Sequence, residues 1–188
     1  MKAQCLRLTE DVRMMKIYIT NLGKYVEGCL IGQWVQLPIE KDALEKVLEA
    51  IGIDGYHEEY FITDYETEIV GVGNSIGEYS TLTELNRLAE RLESLCQYDA
   101  DKLEAVLEYT SCRGITELLE LIDELDNFDL LPDVDDDEDL GYYYADECCC
   151  IDIPEHIRSY FDFTSYGRDI RLESNILYTS FGCVIDNR

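Results

Sequence analysis

MKIYITNL at 15–22 and QWVQLP at 33–38 decide the fold class. Ile17, Tyr18, Ile19 and Thr20 are β-branched or aromatic, which suits a pleated, half-buried strand. Pro38 closes the second run, because a proline cannot donate to a strand ladder. Residues 24–28 between the two runs read as a loop. Working outward, 40–51 is predicted to be a helix: Leu44, Val47, Leu48 and Ile51 recur at helical spacing, and Gly52 supplies a stop. YFITDY at 60–65 reads as a third strand. This gives a ββαβ unit of the α+β class ending near residue 70. Residues 1–14, upstream of it, read as an extension, and a start at Met14 or Met15 is compatible with the pattern.

The middle of the chain is predicted to be helical. Thr81 and Glu84 have the spacing of a capping box, and Leu85, Leu88, Leu92 and Leu95 follow as one apolar stripe. A second helix is expected over 99–109, with Leu103, Val106 and Leu107 inward. After Gly114 a third carries Ile115, Leu118, Leu119, Ile122 and Leu125 inward. Three short amphipathic helices suggest a small bundle. DVDDDED at 133–139 then reads as a charged hinge, with six acids in seven positions. Beyond it, GYYYADECCCID at 141–152 reads as one or two strands. A helix is expected over 154–161 with Asp152 as a possible N-cap, and NILYTSFGCVID at 175–186 as a terminal hairpin. The expected organisation is an extension (1–14), an α+β domain (15–72), a central helical domain (73–131) and a second α+β domain with an acidic lead-in (132–188).

Charge dominates the composition. The 188 residues carry 41 Asp plus Glu against 15 Lys plus Arg, a net charge of −26. Self-repulsion of that size opposes compaction, and phosphates would be repelled, which disfavours direct nucleic-acid binding. Duplex DNA carries one charge per ~1.7 Å of axis, so 26 charges correspond to ~44 Å of duplex. A compact chain of this length is roughly 40 Å across, so its charge density is comparable with that of DNA. Hydrophobic residues make up 46% and aromatics 11%, too many for a disordered acidic tail.

The acids are clustered. Residues 40–68 hold ten acids and two bases, Lys41 and Lys46. Residues 101–155 hold nineteen acids and two bases, Lys102 and Arg113, a net −17 of the −26. Glu117, Glu120, Asp123 and Glu124 fall at i, i+3, i+6 and i+7, one helical stripe with neighbours ~5–6 Å apart. A solvated helix face accounts for acids there, but not for the scarcity of basic partners.

Other chemistries fit poorly. In a calcium loop counted from Asp133, the sixth position should be glycine and is Glu138; the twelfth should be glutamate and is Tyr144. Cys148, Cys149 and Cys150 with His156 do not suit zinc, because adjacent residues of a strand face opposite ways. Gly71, Gly73 and Gly77 miss a dinucleotide fingerprint, since Ile76 stands where its last glycine should be. His57 and His156 lie in no nucleophile motif. The eight cysteines form no CxxC pair. With no signal peptide and no spanning apolar run, reduced thiols in a soluble cytoplasmic protein are expected.

Four segments together resemble the ArdA antirestriction family: MKIYITNLGKYVEGCLIGQWVQLP at 15–38, EEYFITDYE at 58–66, IGEYSTLTELNRLAERL at 76–92 and IPEHIRSYFDFTSYGRDI at 153–170. The resemblance runs from about Met15 to Val184. Residues 1–14 and the DVDDDED and CCC runs depart from it. It implies an elongated three-domain homodimer of the α+β class, two small antiparallel α+β domains flanking a helical bundle. It also implies mimicry of bent B-form DNA in the groove of type I restriction-modification enzymes, protecting mobile DNA, with no catalytic residue, metal or cofactor. The family's dimer contact maps here onto a strand around Tyr142, Tyr143 and Tyr144.

The acidic surface expected to meet such a partner comprises Glu45, Glu49, Glu58, Glu59, Asp64, Glu66, Glu104, Glu108, Glu117, Glu120, Asp123, Glu124, Asp126, Asp129, Asp133, Asp135, Asp136, Asp137, Glu138 and Asp139. Two alternatives come from other classes. An acidic protein could bind a different basic DNA-binding partner, and a carboxylate or metal-dependent hydrolase would need a few acids converging in a pocket.

Overall fold

The computed structural model describes residues 14–148 and 151–188. The proposed extension up to residue 13, and Cys149 and Cys150 of the cysteine run, lie outside the described residues. The chain is mixed α+β, with eight α-helices and two three-stranded antiparallel sheets among the described residues. It divides into two compact units: the chain up to Ala100 with Thr110–Asp123, and Asp101–Tyr109 with Glu124–Arg188.

The first unit starts with β1 (Met15–Asn21), α1 (Leu22–Val26), β2 (Gly32–Leu37), α2 (Lys41–Ala50) and β3 (Tyr60–Thr67). The sheet order is β2-β1-β3, antiparallel throughout. Alternation decides which face is core: Met15, Ile17 and Ile19 are buried, as are Val35 and Leu37 opposite them. A bulge lies between Tyr18 and Ile19 of β1, where Tyr18 faces Asp64 and Ile19 faces Ile62. The extra residue, Thr63, is exposed, while Ile62 opposite Ile19 and Phe61 opposite Thr20 are both buried, on alternate faces of the sheet. All three expected strands are present.

The loop expected at 24–28 is replaced in part by α1. Asn21 caps it by accepting from Lys24 N at 2.9 Å, a bond that makes even five residues helical. Gly28, with φ 85°, turns the chain out of it. Helix α2 matches its expected span, and Gly52 at φ 79° ends it.

Next come α3 (Leu82–Glu93), α4 (Gln97–Leu107) and α5 (Ile115–Asp123). The Thr81–Glu84 capping box forms as expected. Leu85, Leu88 and Leu92 are buried, and α3 packs on α5. The unit boundary falls within α4, after Ala100.

The second unit contains the end of α4, β4 (Phe128–Leu131), α6 (Asp137–Tyr142), α7 (Glu155–Arg158), α8 (Phe163–Glu173), β5 (Ile176–Thr179) and β6 (Gly182–Asp186). The terminal hairpin is present as β5–β6, and β4, which the sequence reading did not anticipate, joins to give the order β4-β6-β5.

Two expectations in this unit are corrected. The strand around Tyr142, Tyr143 and Tyr144 is helical: α6 runs into a π-turn over Tyr143–Glu147. Asp136 caps α6 by accepting from Glu138 N and Asp139 N at 2.8 and 3.0 Å. Three acids in the first turn favour the helix dipole. Tertiary contact reinforces this, because a Cβ on Gly141 would collide with the Phe163 carbonyl, and one on Gly167 with the Asp137 carbonyl. The crossing of α6 and α8 therefore requires backbone contact, and it overrides the β-preference of three tyrosines. The helix expected over 154–161 is only α7, with Pro154 rather than Asp152 at its N-cap position. The longer α8 is capped by Asp162, which accepts from Ser165 N at 3.0 Å.

Candidate functional site

Seventeen of the twenty candidate acids are exposed; Glu104, Asp137 and Asp139 are half-buried. In the first unit, Glu45 and Glu49 lie on α2, Glu58 and Glu59 precede β3, and Asp64 and Glu66 lie on it. On α5 the period of 3.6 separates the two faces. Ile115, Leu118, Leu119 and Ile122 are buried, while Glu117, Glu120 and Asp123 are exposed. In the second unit the acids follow α4, the turn before β4 and the approach to α6.

Several of them are engaged. Lys16 meets Glu66 at 3.0 Å, Lys41 meets Glu45 at 3.8 Å, Arg91 meets Asp123 and Arg188 meets Glu124 at 3.9 Å. Glu108 accepts from Ser180, Asp129 from Asn187, and Glu117 from Arg113 N. Exposed pairs of this kind are individually weak. Among the described residues, no ion pair engages Glu49, Glu58, Glu59, Glu120, Asp126, Asp133, Asp135 or Glu138. These eight candidates, found on each of the two units, are exposed carboxylates that no ion pair engages among the described residues.

The DVDDDED run divides its labour. Val134 is buried in the core with Leu140, Ile176 and Cys183, which pins the run to the second unit. Asp136 is spent on capping. Asp139 accepts from Asp135 N at 3.3 Å. Asp137 points inward, accepting from Arg171 at 2.7 and 3.2 Å and from the Tyr178 hydroxyl at 2.9 Å, with Arg168 at 3.8 Å. The Arg171 hydrogen bond, aided by Tyr178, holds the Asp137 carboxyl below the usual range. Burial, together with Asp137, pushes the Tyr178 hydroxyl up. Asp133, Asp135 and Glu138 remain outward.

A cleft of about 320 Å³ in the second unit is walled by Leu131, Pro132, Val134, Tyr142 and Tyr143 with Asp133, Asp139, Asp146 and Glu147. Tyr142 stacks on Phe163 at 3.9 Å, and Arg158 reaches Asp146 beside it. Tyr143 meets Tyr144 edge-on at 5.5 Å. Its hydroxyl is pushed up to about 12 by its hydrogen bond to Cys148 and by burial. Among the described residues no group of three or more His, Cys, Asp or Glu is arranged to hold a metal ion.

Asp42, Glu90, Glu93 and Glu147, outside the candidate set, are exposed to the same degree. Glu90 and Glu93 were within reach of helical periodicity, since they flank buried Leu88, Ala89 and Leu92. A three-residue arrangement also lies outside that set, in which His57 Nε2 lies 3.0 Å from Glu27 and Nδ1 3.6 Å from Asp54. The hydrogen bond from His57 holds Glu27 below the usual range. No local spacing signals a contact thirty residues apart.

Among the described residues no helix is long and apolar enough to cross a membrane. No curated protein matches the chain. A family model described as antirestriction protein (ArdA) matches residues 17–185.

Proposed function

The chain belongs to the ArdA antirestriction family, and on that premise we propose that it inhibits type I restriction-modification enzymes by occupying the groove in which they bind DNA. The observation that carries this reading is the set of exposed carboxylates without cationic partners among the described residues, present on both units. A DNA-binding groove is lined with Lys and Arg that gain affinity when they neutralise phosphates and release counterions. Fixed carboxylates engage the same cations. They offer contacts like those of the DNA backbone without base edges, so blockade is by charge and shape rather than by sequence.

In this reading no residue is catalytic and no cofactor is needed. The protein works in the cytoplasm of the bacterial host as a homodimer, in three parts (15–72, 73–131 and 132–188). Tyr142, Tyr143 and Tyr144 lie at the dimer contact, as helical rather than strand residues. The test is a purified type I methyltransferase whose DNA binding is followed as the protein is added. Loss of the DNA complex is expected. Undiminished DNA binding at large excess, across several such enzymes, overturns the reading.

A further inference from the structure

The three-stranded sheet of the first unit has two dissimilar edges. On β3, Ile62 N donates to the Glu78 carbonyl at 2.7 Å, and Asp64 and Glu66 place charge along the strand, with Glu68 just beyond it. Charges of this kind keep an edge from pairing with another chain. On β2, Gly32–Leu37 carries no charge at all. Across the wider stretch 21–39 the only charged side chains are Lys24 and Glu27, which pair with each other at 3.1 Å.

The ladder fixes which backbone groups of β2 are open. Asn21 N donates to the Ile31 carbonyl at 3.0 Å. The register continues through Ile19 opposite Gln33, Ile17 opposite Val35 and Met15 opposite Leu37. In an antiparallel pair, alternate residues bond across while those between face the other way. The N–H and C=O groups of Gly32, Trp34 and Gln36 therefore point to the open side. Among the described residues no backbone hydrogen bond takes them up. Exposed apolar side chains lead into this strand and lie on it: Leu30 at 79% exposure, Ile31 and Trp34.

We propose that β2 pairs with β2 of a second copy of this chain, antiparallel, about a two-fold axis at Trp34. In that register Trp34 faces its own counterpart and Gly32 faces Gln36, so each open backbone group finds a partner. A two-fold contact needs a self-complementary patch, and this strand is one. Electrostatics favours a second copy here rather than elsewhere on the first unit: two chains of net charge −26 repel wherever they bring acids together, and β2 itself brings none. The pairing does not depend on the inhibitory role proposed above. A single strand pair with a small apolar fringe falls short of the ~1,200 Å² of stable interfaces, so the association is weak and concentration-dependent.

Trp34 is the only tryptophan, so tryptophan fluorescence reports on this strand alone. The experiment measures acrylamide quenching of Trp34 in the full-length protein from micromolar to millimolar concentration, with sedimentation alongside. Quenching is expected to fall as concentration rises, and to fall further when salt screens repulsion between the copies. Gln36→Pro deletes an outward N–H that β1 does not use, and it should abolish the concentration dependence while leaving the β1–β2 ladder intact. Gln36→Glu keeps every backbone group and adds charge to the edge; it should abolish the dependence too, with circular dichroism confirming the fold of both variants. Trp34 quenching that is constant across the range, or concentration dependence that survives in a folded Gln36→Glu protein, overturns the proposal.

Discussion

Arg171, in the last turn of α8, grips Asp137, in the first turn of α6, through two hydrogen bonds of 2.7 and 3.2 Å. A fork-on-carboxylate contact of this type is among the stronger polar links a protein makes. It converts one member of a six-acid run from displayed charge into an internal tie. The neighbouring Asp133 is exposed and has no ion-pair partner among the described residues.

Asp137→Asn is therefore expected to lower the thermal midpoint by several degrees, while Asp133→Asn leaves it nearly unchanged. The pH dependence has a definite sign. Because the folded Asp137 carboxyl is held below its unfolded value, its stabilisation is fully present above the unfolded carboxylate range, ~3.9, and is lost as pH falls through the lower folded value. Urea unfolding of both proteins across pH should show the gap widest near neutrality and closing in acid. A gap that grows on acidification contradicts the assignment.

The crossing of α6 over α8 yields a second expectation. Gly167 leaves no room for a Cβ, which would strike the Asp137 carbonyl and the Gly141 amide, and the obstruction is backbone that cannot rotate away. Gly167→Ala should cost about 1–3 kcal/mol or more, in the range of overpacked cores. Gly55→Ala is the control, since a Cβ there meets nothing within 4 Å. Denaturant midpoints of the two variants decide the point, and equal midpoints would remove the close crossing as a determinant of the second unit.

How far the sequence reached is clear from individual elements. Strand β1 was legible because Ile17, Tyr18, Ile19 and Thr20 form a β-branched and aromatic run, and α3 because its capping box precedes a clean apolar stripe. Both signals are local. What escaped depends on distant partners: Gly141 reads as a strand or turn residue until α8 lies against it, and Asp137 is indistinguishable from its neighbours until Arg171 and Tyr178 close around it. The exposed acids of α5 were legible from periodicity, whereas the arginine that meets Asp123 comes from 32 residues upstream. Burial in the DVDDDED run was also hidden, since only Val134 marks it.

Binding to a restriction-modification enzyme should weaken as salt rises. The acids proposed to make contact are exposed, and exposed charges are screened over ~8 Å at physiological ionic strength. Direct affinity measured from low to high salt is the clean observable, because competing DNA is itself salt-sensitive. A flat profile would make the contact mainly apolar. Self-pairing at β2 should respond oppositely to salt, so the two associations can be told apart in one titration series.

The surface should act collectively. Glu49, Glu58, Glu59, Glu120, Asp126, Asp133, Asp135 and Glu138 are exposed, and no ion pair engages them among the described residues. Replacing any one by its amide should change affinity by less than about fivefold, the scale of a single exposed ion pair. Replacing Asp133, Asp135 and Glu138 together removes three contacts at one place and leaves the Asp136 cap and the Asp137–Arg171 tie in place, so folding should survive while affinity falls much further. Asp136 and Asp137 do not belong in such a series, because their loss would weaken α6 and mimic a loss of binding. A catalytic pocket would behave differently, with one substitution abolishing activity and the rest silent. If a single member of the eight carries most of the inhibition in a folded variant, the distributed reading fails and a focused site takes its place.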